Sequence, residues 1–394
     1  MASIPKRLRL LMVAGAWPGP PLTGALLRWQ AMIRYLGLRH DLTFVSFSSP
    51  GQDCNRDELL HWCKAIHPVQ WGGPHLPGAD KLPFLVHRRT TERMRNAVES
   101  LAAEAFDAMF LEQVFLAPLL GLIQAPTILN EHNIESSLLR QAVACGLQPF
   151  AEFGVTDMAY QAQLLRDFED EMWPRFPVRT AVNEQERKEI QERAGTGRTL
   201  LAENGTDLDL WLPDARHDTN TLLFIGSLNY YPNIDAILHF WNEIWPHIQR
   251  RNPSCRLIVA GRNANKAICE LVHEPGFVLV ENPVDIRTVA AMASVSIVPL
   301  RIGAGSRLKI LDSMAVGLPV VTTGVGCDGL AVDDGEHVMI RDDPQAFADG
   351  IVDLLRDAGT WNRLRENGRR LIEERYSWET TLTSLDEALR IVTS

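Results

Sequence analysis

The 394-residue sequence has no CxxC pair, no Lys or Arg run longer than a few residues, no short-period repeat and no low-complexity segment. Its six cysteines, Cys54, Cys63, Cys145, Cys255, Cys269 and Cys327, are scattered, which suits reduced cytosolic thiols better than a disulfide framework. The group Cys54, His61, Cys63 and His67 has an HxC spacing that fits no common zinc pattern, so no metal is expected there. A formal charge of -10 without a basic run argues against nucleic-acid binding by phosphate neutralisation. No stretch reaches the ~20 apolar residues of a membrane span. Near the N-terminus Lys6, Arg7 and Arg9 precede LLMVAGA, and Ala14-x-Ala16 looks like a signal-peptidase site. The apolar run is only as long as a buried strand and Arg9 interrupts its start, so it reads as a first β-strand in a cytoplasmic protein.

Chemical motifs are missing too. No GxSxG or nucleophilic triad is present, and the acidic DLD (207–209) and VDD (332–334) fall in a linker and a polar turn. After the first strand the chain reads GAWPGPPLTG, with Trp and prolines where a nicotinamide-binding GxGxxG turn needs glycines.

What the sequence does contain is a strand and helix alternation too long for one core, since single cores stop growing near ~250 to 300 residues. Strands are expected at 8–14, 41–47, 107–112, 126–130 and 178–183, then at 221–227, 256–261, 277–282, 295–300, 319–323 and 337–342. This pattern predicts two α/β domains, each a doubly wound parallel sheet. The Pro- and Gly-rich 67–83 reads as irregular loop, and 205–220 as the linker. Ile234, Ile237, Leu238, Trp241, Ile244, Trp245 and Ile248 recur at three- and four-residue spacing and mark a core-facing helix, with Pro232 and Asp235 in its first turn.

The most pointed stretch is GAGSRLKILDSMAVGLPVVTT (303–323). A strand delivers the chain into Arg301-Ile-Gly-Ala-Gly-Ser306, and a helix is expected to start there. Glycines admit a ligand close to backbone N–H groups, and a helix N-terminus favours an anion, above all a phosphate. Leu308, Leu311, Met314 and Ala315 form the buried stripe, which turns Lys309 and Asp312 together onto another face. That pair is either a surface ion pair or a grip on a pyrophosphate-linked nucleoside.

The stretch resembles the signature of retaining GT-B glycosyltransferases of family 4, also called glycosyl transferases group 1. The resemblance extends, in the family's order, to TGALLRWQAMIRYLGLRHDLTFVSF (23–47), EHNIES (131–136), ENGTDLDLW (203–211), FIGSLNYYPN (224–233) and RYSWETTLTSLDEAL (375–389). It implies a GT-B fold, two doubly wound Rossmann-like domains facing across a cleft. The boundaries would be 1–205 for the acceptor-side domain, 206–376 for the donor domain, and a C-terminal helix, 377–394, crossing back.

The resemblance also implies that a nucleotide diphosphate sugar is the co-substrate, transferred with retention and without a metal or other cofactor. Donor contacts would come from Gly226, Ser227, Val284, Arg301, Gly303, Ala304, Gly305, Ser306, Arg307, Lys309 and Asp312, with Asp312 on the ribose. His132 would stand near the transferred sugar, joined in catalysis by Arg307 and Lys309. Thr23, Gly24 and Ala25 would approach the phosphates and acceptor, with Glu131 and Asn133 on the acceptor side.

Three departures from the family pattern stand out: Ala304 replaces the first Glu of E-x7-E, Asp312 replaces the second, and Ser227 and the uncharged Asn233 or a neighbour stand where many members carry Arg and Lys. Arg301, Arg307 and Lys309 are expected to supply the lost charge. Arg28 and Arg34 give the first helix a basic flank suited to peripheral contact with an anionic inner membrane surface or a pyrophosphate-linked lipid. Polysaccharide, glycolipid and natural-product acceptors all remain open, as does the oligomeric state. Two rival readings also stand at this point: a GT-B sugar-nucleotide epimerase or hydrolase, and a non-catalytic GT-B partner subunit that binds nucleotide sugar.

Overall fold

A computed structural model describes residues 7–19, 24–49, 55–211, 220–305 and 307–394. The chain divides into two compact units, the first comprising Met1–Val143, Phe150–Glu203 and Leu382–Ser394, the second Ala144–Pro149 and Asn204–Thr381.

Unit 1 is built on seven strands: β1 (Arg9–Ala14), β2 (Asp41–Ser48), β3 (Ala65–Gln70), β4 (Ala108–Glu112), β5 (Thr127–Asn130), β6 (Val178–Ala181) and β7 (Arg198–Leu201). They pair in parallel in the order β3-β2-β1-β4-β5-β6-β7. The central strands read as continuous apolar runs because helices cover both faces of the sheet; Leu10, Met12, Phe44, Phe110 and Ile128 are fully buried. LLMVAGA thus supplies most of β1, an interior strand of this sheet. The final helix, Ser384–Thr393, packs against β4 to β7 of the same unit, and the Tyr35 hydroxyl donates to Asp386 at 2.7 Å.

Two strands of unit 1 differ from the sequence expectation. β3 lies partly inside the Pro- and Gly-rich stretch read as loop, and β7 was not anticipated. Both are edge strands, half-buried along much of their length, so neither carries the apolar run of a central strand. Pro68 is tolerated in β3 because an edge strand has ladder donors to spare.

Unit 2 has six strands: β8 (Thr221–Ser227), β9 (Arg256–Arg262), β10 (Phe277–Glu281), β11 (Val295–Val298), β12 (Val320–Thr322) and β13 (Met339–Ile340). They too are parallel, in the order β10-β9-β8-β11-β12-β13. The tryptophan-bearing helix after β8 runs as Tyr231–His239, a π turn Phe240–Ile244, and Trp245–Arg251. Pro246, which has no N–H to give to the preceding turn, accounts for the break. The stripe is core: Ile237, Ile244, Trp245 and Ile248 are buried, and Trp241 stacks on Trp245 with centroids 5.0 Å apart.

Candidate functional site

A doubly wound sheet binds ligands where the strand order reverses, outside the carboxyl ends of the strands. In unit 2 the reversal falls between β8 and β11. β8 ends at this point with Gly226 and Ser227, and β11 leads into the loop 301–307 and the helix Leu308–Ala315. As the spacing predicts, Leu308, Leu311, Met314 and Ala315 are buried, while Lys309 and Asp312 are half-buried on another face. The helix opens at Leu308, later than the expected start near Ser306, which itself lies outside the described residues, as does Thr23.

Lys309 is held by unit 2's own residues. Its Nζ donates to Asn233 Oδ1 at 2.6 Å and sits 4.2 Å from the centroid of the Phe224 ring. Asn233 in turn donates to the Ser227 carbonyl at 2.9 Å. Burial, aided by the nearby Arg307 charge, lowers the ammonium to about 7. Asn233 therefore positions the site's lysine from the place where a cation was expected.

A Cβ on Gly226 would stand 2.6 Å from Asn233 Nδ2 and 3.3 Å from Lys309 Nζ. Gly226→Ala is thus expected to push Asn233 off Lys309 and to cost about 1 to 3 kcal/mol. Thermal unfolding of the variant reads this directly, and an unchanged midpoint would contradict the packing.

Asp312 Oδ1 accepts from Thr206 Oγ1 at 2.6 Å. Thr206 belongs to the turn 204–206, which is pinned by Thr206 N donating to the Tyr376 carbonyl at 2.7 Å. Burial raises the Asp312 carboxyl to about 7; the Thr206 hydrogen bond opposes that rise and Asp207 adds to it. Asp207 itself caps its own turn, accepting from the N–H groups of Asp209 and Leu210 at 3.0 Å.

The two arginines expected to replace the missing charge are otherwise engaged. Arg301 forks onto Asp235, with Nε to Oδ2 at 3.1 Å and Nη2 to Oδ1 at 2.5 Å. Arg307 is buried and folds back on its own loop, donating to the carbonyls of Ala304 and Gly305 and, at 3.4 Å, to that of Val325. Gly303 has no side chain because the Arg307 guanidinium fills that space, and Gly305 takes φ 70°, which favours glycine. In this arrangement Arg307 shapes the loop. Val284 is fully exposed on the loop after β10.

In unit 1 the reversal lies between β1 and β4, and a buried polar network gathers there. Glu112, the last residue of β4, accepts on Oε2 from Trp29 Nε1 at 2.8 Å, Asn130 Nδ2 at 2.6 Å and His132 Nε2 at 3.0 Å. Asn130 Oδ1 accepts from Arg28 Nη2 at 3.0 Å and Thr180 Oγ1 at 2.5 Å. Arg28 also donates to the Glu203 carbonyl at 3.2 Å. It is 1% exposed, which withdraws it from the expected basic membrane-facing flank; burial lowers it to about 10 against the opposing pull of Glu112. Arg34 lies over the Trp62 ring at 5.8 Å.

Glu131 was expected near an acceptor. Successive residues of an extended chain point to opposite sides, so it turns away from His132 into the core. There it accepts from Trp173 Nε1 at 2.7 Å and Val114 N at 3.2 Å, and burial raises it to about 8. Asn133 does stay near the strand ends, donating to Glu135 Oε1 at 3.1 Å, which Gln113 also reaches at 3.3 Å. Burial lifts Glu135 to about 7. Arg89 adds a cation beside Glu135 and packs over Phe115 at 4.6 Å. Gly24 is exposed at the start of helix Gly24–Arg39, followed by half-buried Ala25.

Sequence reading missed Glu112, Gln113, Arg89 and Thr206. Glu112 had left a signal, a carboxylate closing the apolar run DAMFLE. Among the described residues no three His, Cys, Asp or Glu side chains are grouped to hold a metal. Cys63 is a buried thiol pushed up to about 12, and Cys54 lies outside the described residues. No helix among the described residues is long and apolar enough to cross a membrane.

With this geometry in view, residues 219–357, most of unit 2, match the family model for glycosyl transferases group 1. Beyond it, the chain is 27% identical over 178 residues to an uncharacterized 44.6 kDa protein in the cps region of Klebsiella pneumoniae, covering 43% of this chain and 45% of that one. The chain spans less than half the length of the curated relatives it matches. Among solved structures, sucrose-phosphate synthase from Thermosynechococcus elongatus superposes with TM-score 0.73 at 16% identity, covering 98% of both chains. HepE of Anabaena, in complex with UDP and glucose, gives 0.70 at 14% identity over 98% of this chain and 100% of that one. The architecture is GT-B, two Rossmann-like units of parallel sheet, and the region matched by the family model carries the Lys309 and Asp312 pair.

Proposed function

We propose that the protein is a retaining glycosyltransferase that moves a sugar from a nucleotide diphosphate donor to a hydroxyl acceptor. The observation that carries this reading is the pairing, at the reversal point of unit 2, of an ammonium and a carboxylate on one face of a short helix behind a glycine loop. A diphosphate takes Lys309 and the first-turn N–H groups, and ribose hydroxyls donate to Asp312. The work is positioning and charge stabilisation of the departing diphosphate, supplied by fixed groups and with no metal assigned. Unit 1 receives the acceptor, where Asn133, Gln113, Glu135 and Arg89 offer both donors and acceptors to hydroxyl groups, and His132 serves the reacting sugar. The cps-region relative favours a polysaccharide or glycolipid acceptor, and the UDP held by HepE makes a uridine nucleotide the first donor to test.

The test is release of nucleoside diphosphate from UDP-, GDP-, ADP- and TDP-sugars, with and without cell-envelope acceptor extracts. Release that depends on acceptor, with the anomeric configuration of the donor kept in the product, is the expected result. Free sugar formed equally without acceptor indicates a hydrolase, and interconversion of the donor sugar an epimerase. Donor binding without any turnover indicates a partner subunit.

A further inference from the structure

We propose that Glu112 is a positioning residue for His132, holding the imidazole as the Nε2–H tautomer so that Nδ1 faces the reaction as a hydrogen-bond acceptor. The inference follows from the direction of every hydrogen bond around Glu112 Oε2. Trp29 Nε1 can only donate. Asn130 is fixed in orientation because Arg28 and Thr180 both donate to its Oδ1, so its Nδ2 donates as well, to Glu112 Oε2 at 2.6 Å; the same amide stands 3.3 Å from His132 Nε2, the longer of that nitrogen's two polar contacts, the shorter being Glu112 Oε2 at 3.0 Å. A carboxylate oxygen surrounded this way accepts from all its neighbours, and at 3.0 Å a bare lone pair on His132 Nε2 would be repelled. The proton therefore sits on Nε2.

The ring plane is fixed as well, since the Trp29 indole lies tilted over the imidazole with centroids 5.7 Å apart. The groups facing His132 come from four elements: Trp29 and Arg28 from helix Gly24–Arg39, Glu112 from β4, Asn130 from β5 and, through Asn130, Thr180 from β6. Arg28 and Glu112 offset each other, so a neutral imidazole leaves the buried cluster without net charge. Burial of His132, acting first, lowers its pKa, against the pull of Glu112. Nδ1 has no hydrogen-bond partner among the described residues. Its partner, on the proposed function, is a hydroxyl of the sugar or of the acceptor, and this last step alone rests on that reading.

The experiment is a long-range 1H–15N correlation spectrum of the full chain labelled at histidine, near pH 7.5, with His132 assigned by its loss in His132→Gln. The wild type is expected to show the Nε2–H pattern, and so is Glu112→Gln, whose amide oxygen still accepts. Glu112→Met, which removes the acceptor, is expected to show a mixture of tautomers and a kcat lowered roughly tenfold or more with little change in donor KM. Glu112→Gln is expected to restore part of that rate. A wild-type Nδ1–H or doubly protonated ring overturns the inference, whether or not Glu112→Met folds, and so does a Met variant that keeps both tautomer and rate. The Nε2–H tautomer seen in a protein that transfers no sugar would leave the positioning role intact and sink the transferase reading.

Discussion

Replacing Lys309 by Met is expected to abolish most of the thermal stabilisation that a nucleoside diphosphate confers on the protein. A ligand at about 100 times its Kd stabilises by about 2.7 kcal/mol. Removing an oriented cation from a phosphate in a partly dehydrated site costs about 2 to 4 kcal/mol, enough to leave little shift at the same concentration. The apo protein should fold at least as well, because an ammonium that burial lowers to about 7 is strained in the empty site. Arg301→Met is the informative contrast. Its guanidinium is spent on Asp235, which is only 6% exposed, so this variant should lose stability in the apo state yet keep the nucleotide-induced shift. Differential scanning fluorimetry with UDP and GDP separates the two. A Lys309→Met protein that keeps its full shift would remove the donor site from this helix.

The contrast also shows what the sequence could tell. Central strands and the loop before Leu308 were readable because burial on both faces writes apolar runs, and close backbone approach writes glycines. β3 and β7 were opaque since edge strands need neither. For the site, periodicity placed Lys309 and Asp312 on one face, which depends only on helical geometry. It could not say which arginine is spoken for, because Asp235 stands 66 positions from Arg301 and Arg307 turns back on carbonyls that carry no sequence signal. Glu131 and His132 are adjacent in sequence and were read together, yet extended backbone sends them to opposite sides. The residue that joins His132 in space is Glu112, 20 positions earlier, a partnership set by the neighbouring of β4 and β5.

Donor affinity is expected to peak near pH 7 and to fall on both sides. On the proposed function binding calls for Lys309 protonated and Asp312 ionised, and burial moves both groups to about 7 from opposite directions. Below that pH Asp312 takes up a proton and ceases to accept from the ribose; above it Lys309 loses its charge against the diphosphate. Each limb should approach a tenfold change in Kd per pH unit. Linkage gives these same groups the reverse effect on the empty protein. The raised carboxyl of Asp312 makes the folded state bind more protons than the unfolded state from about 4 up to about 7, so stability falls as pH rises through that window. The lowered ammonium makes the unfolded state bind more protons above about 7, so stability then rises again. Their combined contribution is weakest where the donor binds best, which is how a site prepared for a ligand's charges should behave without them. Calorimetric Kd values for a nucleotide sugar from pH 5.5 to 9 at constant ionic strength test the claim. Asp312→Asn should flatten the acid limb, and Lys309→Arg, whose guanidinium stays charged throughout, the alkaline one. A wild-type profile level across this range would show that neither group meets the donor.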